Sequence, residues 1–352
     1  MNTFLLALLV LSSATARAER PINPPAAEFP PRSAWLNAAE LSLARLRYRK
    51  VVVIAFINPT SINSIRVLPA LKAWFDHYAL SQVMVVAALS PDLEFHRDPV
   101  WAKNLMERYG VDYPVILDTN HLFWKAYGNE GWPALYLVDR RGRIVFDRLG
   151  EGGYREFENE LRVALADHIG ARNLPAPTGI AEPPRRECGS ATDEISLGAR
   201  PGAKRVITID ENTTRHLSMI VASREGESAS NGRWEIERDG LRLAQANADR
   251  SGFLRFVYRA AQALAVMSPA ASGPSRVFVK QDDLWLHEGN KGRDIQFDKD
   301  GRSFVLLDTP RLYDLTRDSV RTPHELFLIP DRKGATIHGL SFSDACTVTT
   351  LP

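Results

Sequence analysis

From residue 51 onward the first half of the chain switches between two hydrophobic patterns. Val51–Phe56, "VVVIAF", is an unbroken apolar run of the kind that fills a strand buried on both faces, and "VMVVAAL" near residue 86 repeats it. Between them "LPALKAWFDHYA" has helical spacing. "DPVWAKNLMERYGV" predicts a helix that opens at Asp98-Pro99 and closes at Gly110. "YPVILD" predicts a strand, and "HLFWKAYG" a short helix stopped by Gly128. "PALYLVD" and "IVFDRLG", joined through Gly142, predict a hairpin, and "YREFENELRVALADHIG" a closing helix. Upstream, "LNAAELSLARLRYRK" has helical apolar spacing at Leu41, Leu43 and Leu46, preceded by a proline-rich, extended "RPINPPAAEFPPRSAW". Strands alternating with helices and ending in a hairpin plus helix predict an α/β fold, a central mixed sheet flanked by helices.

The texture changes at "NLPAPTGIAEPPRR", a stiff proline-rich linker. Beyond it, segments such as "KRVITID", "GRWEIERDGLRLAQ", "SRVFVKQDDLWL", "RLYDLTR" and "HELFLIPD" are short, often alternating, and separated by Gly, Asp, Pro and Asn. This spacing predicts an all-β sandwich or jelly roll. The expected organisation is a signal peptide at 1–18, an extended segment at 19–34, an α/β domain at 35–172, a linker at 173–187 and a β-sandwich at 188–352.

Composition narrows the setting. With 352 residues, 45% hydrophobic and 24% charged, the chain is a two-domain globular protein. A net charge of +2 gives no support for nucleic-acid binding. "FLLALLVL" followed by "ATARA" reads as a secretory signal cleaved after Ala18, despite the absence of Lys or Arg in "MNTF". No later segment is long and apolar enough to span a bilayer, so a periplasmic or secreted location is expected. Only two cysteines occur, Cys188 and Cys346, bracketing the second domain. In an oxidising compartment they are disulfide candidates, the alternatives being two buried thiols or a reactive Cys188.

The first apolar strand leads into Asn58, Pro59, Thr60, Ser61, Ile62, Asn63 and Ser64, then "IRVLPALKAW". This stretch resembles the active-site segment of DipZ-type redoxins, T-C-I-N-C-I-R-x-L-P-x-L-K-A-W. "DYPVILD", "AYGNEGWPALYLVDRRGRI" and "GEGGY" are similar to further segments of that family in the same order, and "DTPRLYDLT" and "LSFSDA" resemble its appended β-sandwich. The resemblance implies a thioredoxin-like fold and a periplasmic thiol–disulfide oxidoreductase. It also implies that Ser61 and Ser64 stand at the two cysteine positions, so the activity does not carry over. Exchange needs a thiolate, and a helix N-terminus that lowers a thiol pKa still leaves a serine hydroxyl essentially un-ionised. The same likeness implies a cis peptide at Trp132-Pro133, opposite the site loop. These two residues and Asn58–Ser64 would then line a peptide-docking groove, or the proline serves the turn alone.

Other chemistry is thinner. Ser61 is expected as a helix N-cap accepting a backbone N–H; a hydrolytic serine would need a base, and His77, His96 and His121 each stand alone in sequence. The eight histidines show no metal-binding spacing, and no metal or cofactor is expected. "DKDGRS" reads as a hairpin turn. Trp234, Trp285, Tyr258 and Tyr313 are read as core, although exposed aromatics there would bind a glycan. The expectation is a binding or scaffolding module for an unidentified polypeptide or envelope component, and not an enzyme at this site. The alternatives are a residual redox role, or glycan binding through the sandwich.

Overall fold

The computed structural model describes residues 23–182, 191–199 and 225–344. The signal peptide and both cysteines lie outside them, as do "KRVITID" and the carboxyl end.

The first domain runs β1 (Ala34–Leu36), α1 (Leu43–Leu46), β2 (Val51–Ile57), α2 (Ile62–Tyr78), β3 (Val83–Leu89), α3 (Pro99–Arg108), β4 (Val115–Leu117), α4 (Leu122–Ala126), β5 (Ala134–Val138), β6 (Ile144–Leu149) and α5 (Tyr154–Ile169). Its six-stranded sheet has the order β1-β4-β3-β2-β5-β6. The pairs β2–β3 and β3–β4 are parallel and the others antiparallel, giving the expected mixed sheet. Every residue of β2 is buried because the sheet is covered on both sides. Val51, Val53, Ala55 and Ile57 join α2, α3 and α5 in one core. Val52, Ile54 and Phe56 join Phe29, Leu43, Phe123 and Tyr127 in the other.

Two local expectations change. The helical pattern before β2 yields only α1, because residues 34–36 are drawn into β1 against β4, and Asn37 and Tyr48 take positive φ. The proline-rich segment is not loose in the part described. Ala26 N–H donates to Gly142 O at 2.9 Å, Ile144 N–H to Pro24 O at 2.9 Å, and Phe29 packs between Trp35 and Phe123. The Glu28 carboxylate caps α1 through the N–H groups of Leu43 and Ala44. Burial raises its pKa, but these bonds and those from Phe29 and Ser42 outweigh it and hold it below the usual glutamate value.

The linker is strapped down rather than free over its described part. Glu158 accepts from Thr178 N–H and Oγ1, both at 2.6 Å. Glu182 accepts from Gly153 N–H at 2.9 Å and Arg155 N–H at 2.6 Å, supplying α5 with the cap that Gly153 lacks.

The second domain contains β7 (Ile195–Ser196), β8 (Ser228–Asn231), β9 (Trp234–Glu237), β10 (Gly240–Leu243), β11 (Phe253–Ser268), β12 (Ser275–Gln281), β13 (Leu284–Trp285), β14 (Ile295–Phe297), β15 (Ser303–Leu307), β16 (Arg311–Pro330) and β17 (Thr336–Ser343), all paired antiparallel. "RLYDLTR" and "HELFLIP", separate in the sequence pattern, are the two ends of the single strand β16. Strands β11 and β16 pair along their lengths. β11 takes β8 as its other neighbour at one end and β17 at the other. The strands form one eleven-stranded sheet around one core, and the β11–β16 ladder has bulges between Ala260 and Leu264. The bulges flip the phase: Leu254, Phe256, Tyr258 and Ala260 point into that core, and then Ala263, Ala265 and Met267 do. Leu264 and Val266 therefore face outward, as does Leu312 beside Tyr313.

Trp234, Tyr258 and Tyr313 are buried, and Trp285 is half-buried. "DKDGRS" is the turn between β14 and β15, with Asp298 accepting from the N–H groups of Asp300 and Arg302.

Candidate functional site

Strand β2 ends at Ile57 and α2 begins at Ile62, so the loop 58–61 sits at the carboxyl edge of the parallel strands and at a helix N-terminus. Ser64 is fully buried, and its Oγ accepts from Asn58 N–H at 3.0 Å. The Asn58 side-chain carbonyl accepts from Thr60 N–H at 3.0 Å and Thr60 Oγ1–H at 2.8 Å. With its proton spent there, Thr60 Oγ1 accepts from His96 Nε2 at 3.2 Å. His96 Nδ1 in turn accepts the N–H groups of Asp92 and Leu93 at 3.1 and 3.3 Å, so the network assigns the neutral imidazole with its proton on Nε2. The ring is wholly buried and stacks on Trp101 at 5.0 Å. Pro59 is buried, and Asn63 half-buried.

Ser61 occupies the N-cap position of α2 with extended backbone, but its hydroxyl makes no capping bond. The expected cap is therefore absent. Ser61 instead lines a cleft of about 70 Å³ together with Asn58, Thr60 and Leu93. The opposite wall is the second domain: Glu194–Ser196, Val266 and His338–Ser341. His338 donates from Nδ1 to Asp239 O at 2.7 Å and accepts from Ser268 at Nε2 at 2.6 Å; Glu194 accepts from Ser341 Oγ at 2.9 Å.

Trp132 and Pro133 do not line this cleft. Their peptide bond is cis, Pro133 is buried, and Trp132 packs on Trp124 at 4.5 Å. Of the other histidines considered, His77 bonds Ala176 O at 2.6 Å and His121 bonds Pro91 O at 2.8 Å. Among the described residues no group of three or more His, Cys, Asp and Glu is arranged to hold a metal ion, and no helix is long and apolar enough to cross a membrane.

The second domain packs directly on the site helix. Ile62, Ile65 and Leu93 form one buried cluster with Leu264, Val266 and Leu312. Around it, Arg66 donates from Nη2 to Ser343 Oγ at 2.6 Å and pairs through Nη1 with Glu151 at 3.3 Å. Trp101 Nε1–H donates to Pro310 O at 2.7 Å, and Glu94 N–H to Asp239 Oδ2 at 2.6 Å. Burial pushes the Glu151 carboxyl above its usual pKa, and Arg66 only partly opposes this. The sequence reading set His96 aside as a candidate base and did not foresee its buried network, the contacts of Arg66 or this outward apolar patch. A signal existed: "ALAVM" is apolar at every position from Ala263 to Met267, as in a strand covered on both faces.

Residues 25–161 match the family described as Redoxin. The chain is 32% identical over 167 residues to protein DipZ of Mycobacterium bovis, covering 47% of this chain and 24% of DipZ. It is 27% identical over 146 residues to the thiol-disulfide oxidoreductase YkuV of Bacillus subtilis, covering 42% of this chain and 97% of YkuV. A solved thioredoxin-like protein in the oxidised form aligns over 42% of this chain and 98% of its own, at 26% identity and a TM-score of 0.38. The matched region contains no cysteine. Residues 25–161 of this chain thus match the Redoxin model and are similar to DipZ over much the same region, on a mixed sheet flanked by helices.

Proposed function

We propose that this is an exported, non-catalytic redoxin, a binding or scaffolding module for an extended polypeptide or envelope component. In this reading Ser61 and Ser64 stand where the catalytic cysteines of active relatives stand. The observation that carries it is the buried bond from Asn58 N–H to Ser64 Oγ. The loop geometry is held by a hydroxyl that is a good hydrogen-bond acceptor and a negligible nucleophile. Exchange requires a thiolate and the formation of an S–S bond, and residues 25–161 hold no sulfur nucleophile. The docking surface of this reading is the segment Asn58–Ser64 with Trp132 and Pro133, where an extended chain would pair by its main chain. The glycan reading is weakened by the burial of Trp234, Tyr258 and Tyr313.

The test is disulfide reduction with a small substrate, glutathione disulfide. The protein should not accelerate it over buffer, and Ser61→Cys with Ser64→Cys should create exchange. Turnover by the unaltered protein that Cys188→Ala abolishes would overturn the proposal.

A further inference from the structure

We infer that the second domain is a gate on the redoxin site, holding it closed until the two domains separate. This deepens the binding reading, on which it rests only for what the opened face receives.

The argument starts from β11. Up to Ala260 its outward positions include Arg255 and Arg259, partly exposed and paired with Glu325 and Glu225, and Val257, which packs on Ala229 of the neighbouring β8. After the bulge the outward positions are Leu264 and Val266, and Leu312 lies alongside on β16. None of these three contributes to the sandwich core, yet all are buried, because Ile62, Ile65 and Leu93 of the redoxin domain cover them. Among the described residues the apolar patch is covered by Leu93 and Phe95, by Tyr109 at the end of α3, and by the first turn of α2. The same turn carries the N–H groups of Ile62, Asn63 and Ser64, which have no acceptor within the helix. An incoming chain paired along residues 58–64 would have to occupy space held by Val266 and the β17 residues His338–Ser341.

The contact is built to separate. Its apolar centre is small, and its rim is polar: Arg66 with Ser343, Trp101 with Pro310, Glu94 with Asp239, and an exposed Glu94–Arg238 pair at 3.7 Å. Mixed interfaces of this kind between domains of one chain permit relative motion. Each domain keeps a core of its own when they part.

The experiment is hydrogen–deuterium exchange on the full chain and on Val266→Asp, with no ligand present. Val266→Asp puts a charge against Ile62 and Ile65 while leaving the sandwich core unchanged. Within peptides covering residues 58–66, the first-turn amides of Ile62, Asn63 and Ser64, which have cover but no helical acceptor, should exchange at least about ten-fold faster in the variant. Peptides covering residues 51–57 and 253–258 should exchange alike in both. Equal exchange of residues 58–66 in the two proteins, with both cores protected, would overturn the gate. If Val266→Asp does not accumulate, Leu312→Ala asks the same question, with an expected increase of about three-fold. Because no ligand is used, failure of the gate and failure of the binding proposal are read separately.

Discussion

Strands β2 and β11 obey opposite rules. β2 is apolar throughout because helices cover both faces of its sheet. β11 breaks its apolar positions with Arg255, Arg259 and Gln262, then becomes apolar at every position from Ala263 to Met267. In β2 the second cover is part of the same folding unit. In β11 it is another domain, which can leave. The same pattern therefore marks an obligatory core in one place and a separable contact in the other.

The largest expected effect tests that difference directly. Val53→Asp puts a charge into a strand with no way out and should cost about 4 kcal/mol or more, abolishing the first unfolding transition. Val266→Asp should cost no more than about 2 kcal/mol, because separation of the domains hydrates the new carboxylate. Differential scanning calorimetry of the two variants checks the pair.

Next comes the rim. Arg66→Met removes the cation beside the buried Glu151 and should cost about 3 kcal/mol at neutral pH. Glu151 already titrates above its unfolded value, so folding favours its neutral form. Without the cation Glu151 titrates higher still, so the penalty should be full above the variant's pKa and fade as pH falls through it toward the parent protein's already raised value. Urea midpoints of the variant and the parent protein should lie apart in mildly alkaline buffer and converge on acidification.

The smaller effects compare the two serines. Ser64→Ala leaves the Asn58 N–H buried without an acceptor and should cost about 1–3 kcal/mol. Ser61→Ala removes no capping bond and should change stability by less than about 0.5 kcal/mol. A Ser61→Ala cost near 1 kcal/mol, the usual value of a cap, would show that its hydroxyl caps α2 in solution. Chemical denaturation of both single variants decides this.

Much of the first domain was legible because its signals are local. The apolar runs of β2 and β3, the Asp98-Pro99 start of α3 and the Gly142 turn each depend on a few neighbouring residues. The short α1 was misread because its helical spacing competes with β1 pairing to β4, a contact about eighty residues away in sequence. The Ser61 cap was misread for a related reason: a capping residue was in place, but the cleft on which its side chain borders comes from the second domain.

By itself the sequence determined the redoxin-like frame, the all-β second half, and the absence of cysteine from residues 25–161, because periodicity and residue type carry that information directly. Only the tertiary structure decided that Ser64 anchors the site loop, that Glu182 of the linker caps α5, and that Leu264, Val266 and Leu312 close over Ile62 and Ile65. These contacts join residues up to about 250 positions apart. Whether an outward-facing apolar side chain meets water or a neighbouring domain is set by how the units pack, which no local pattern encodes.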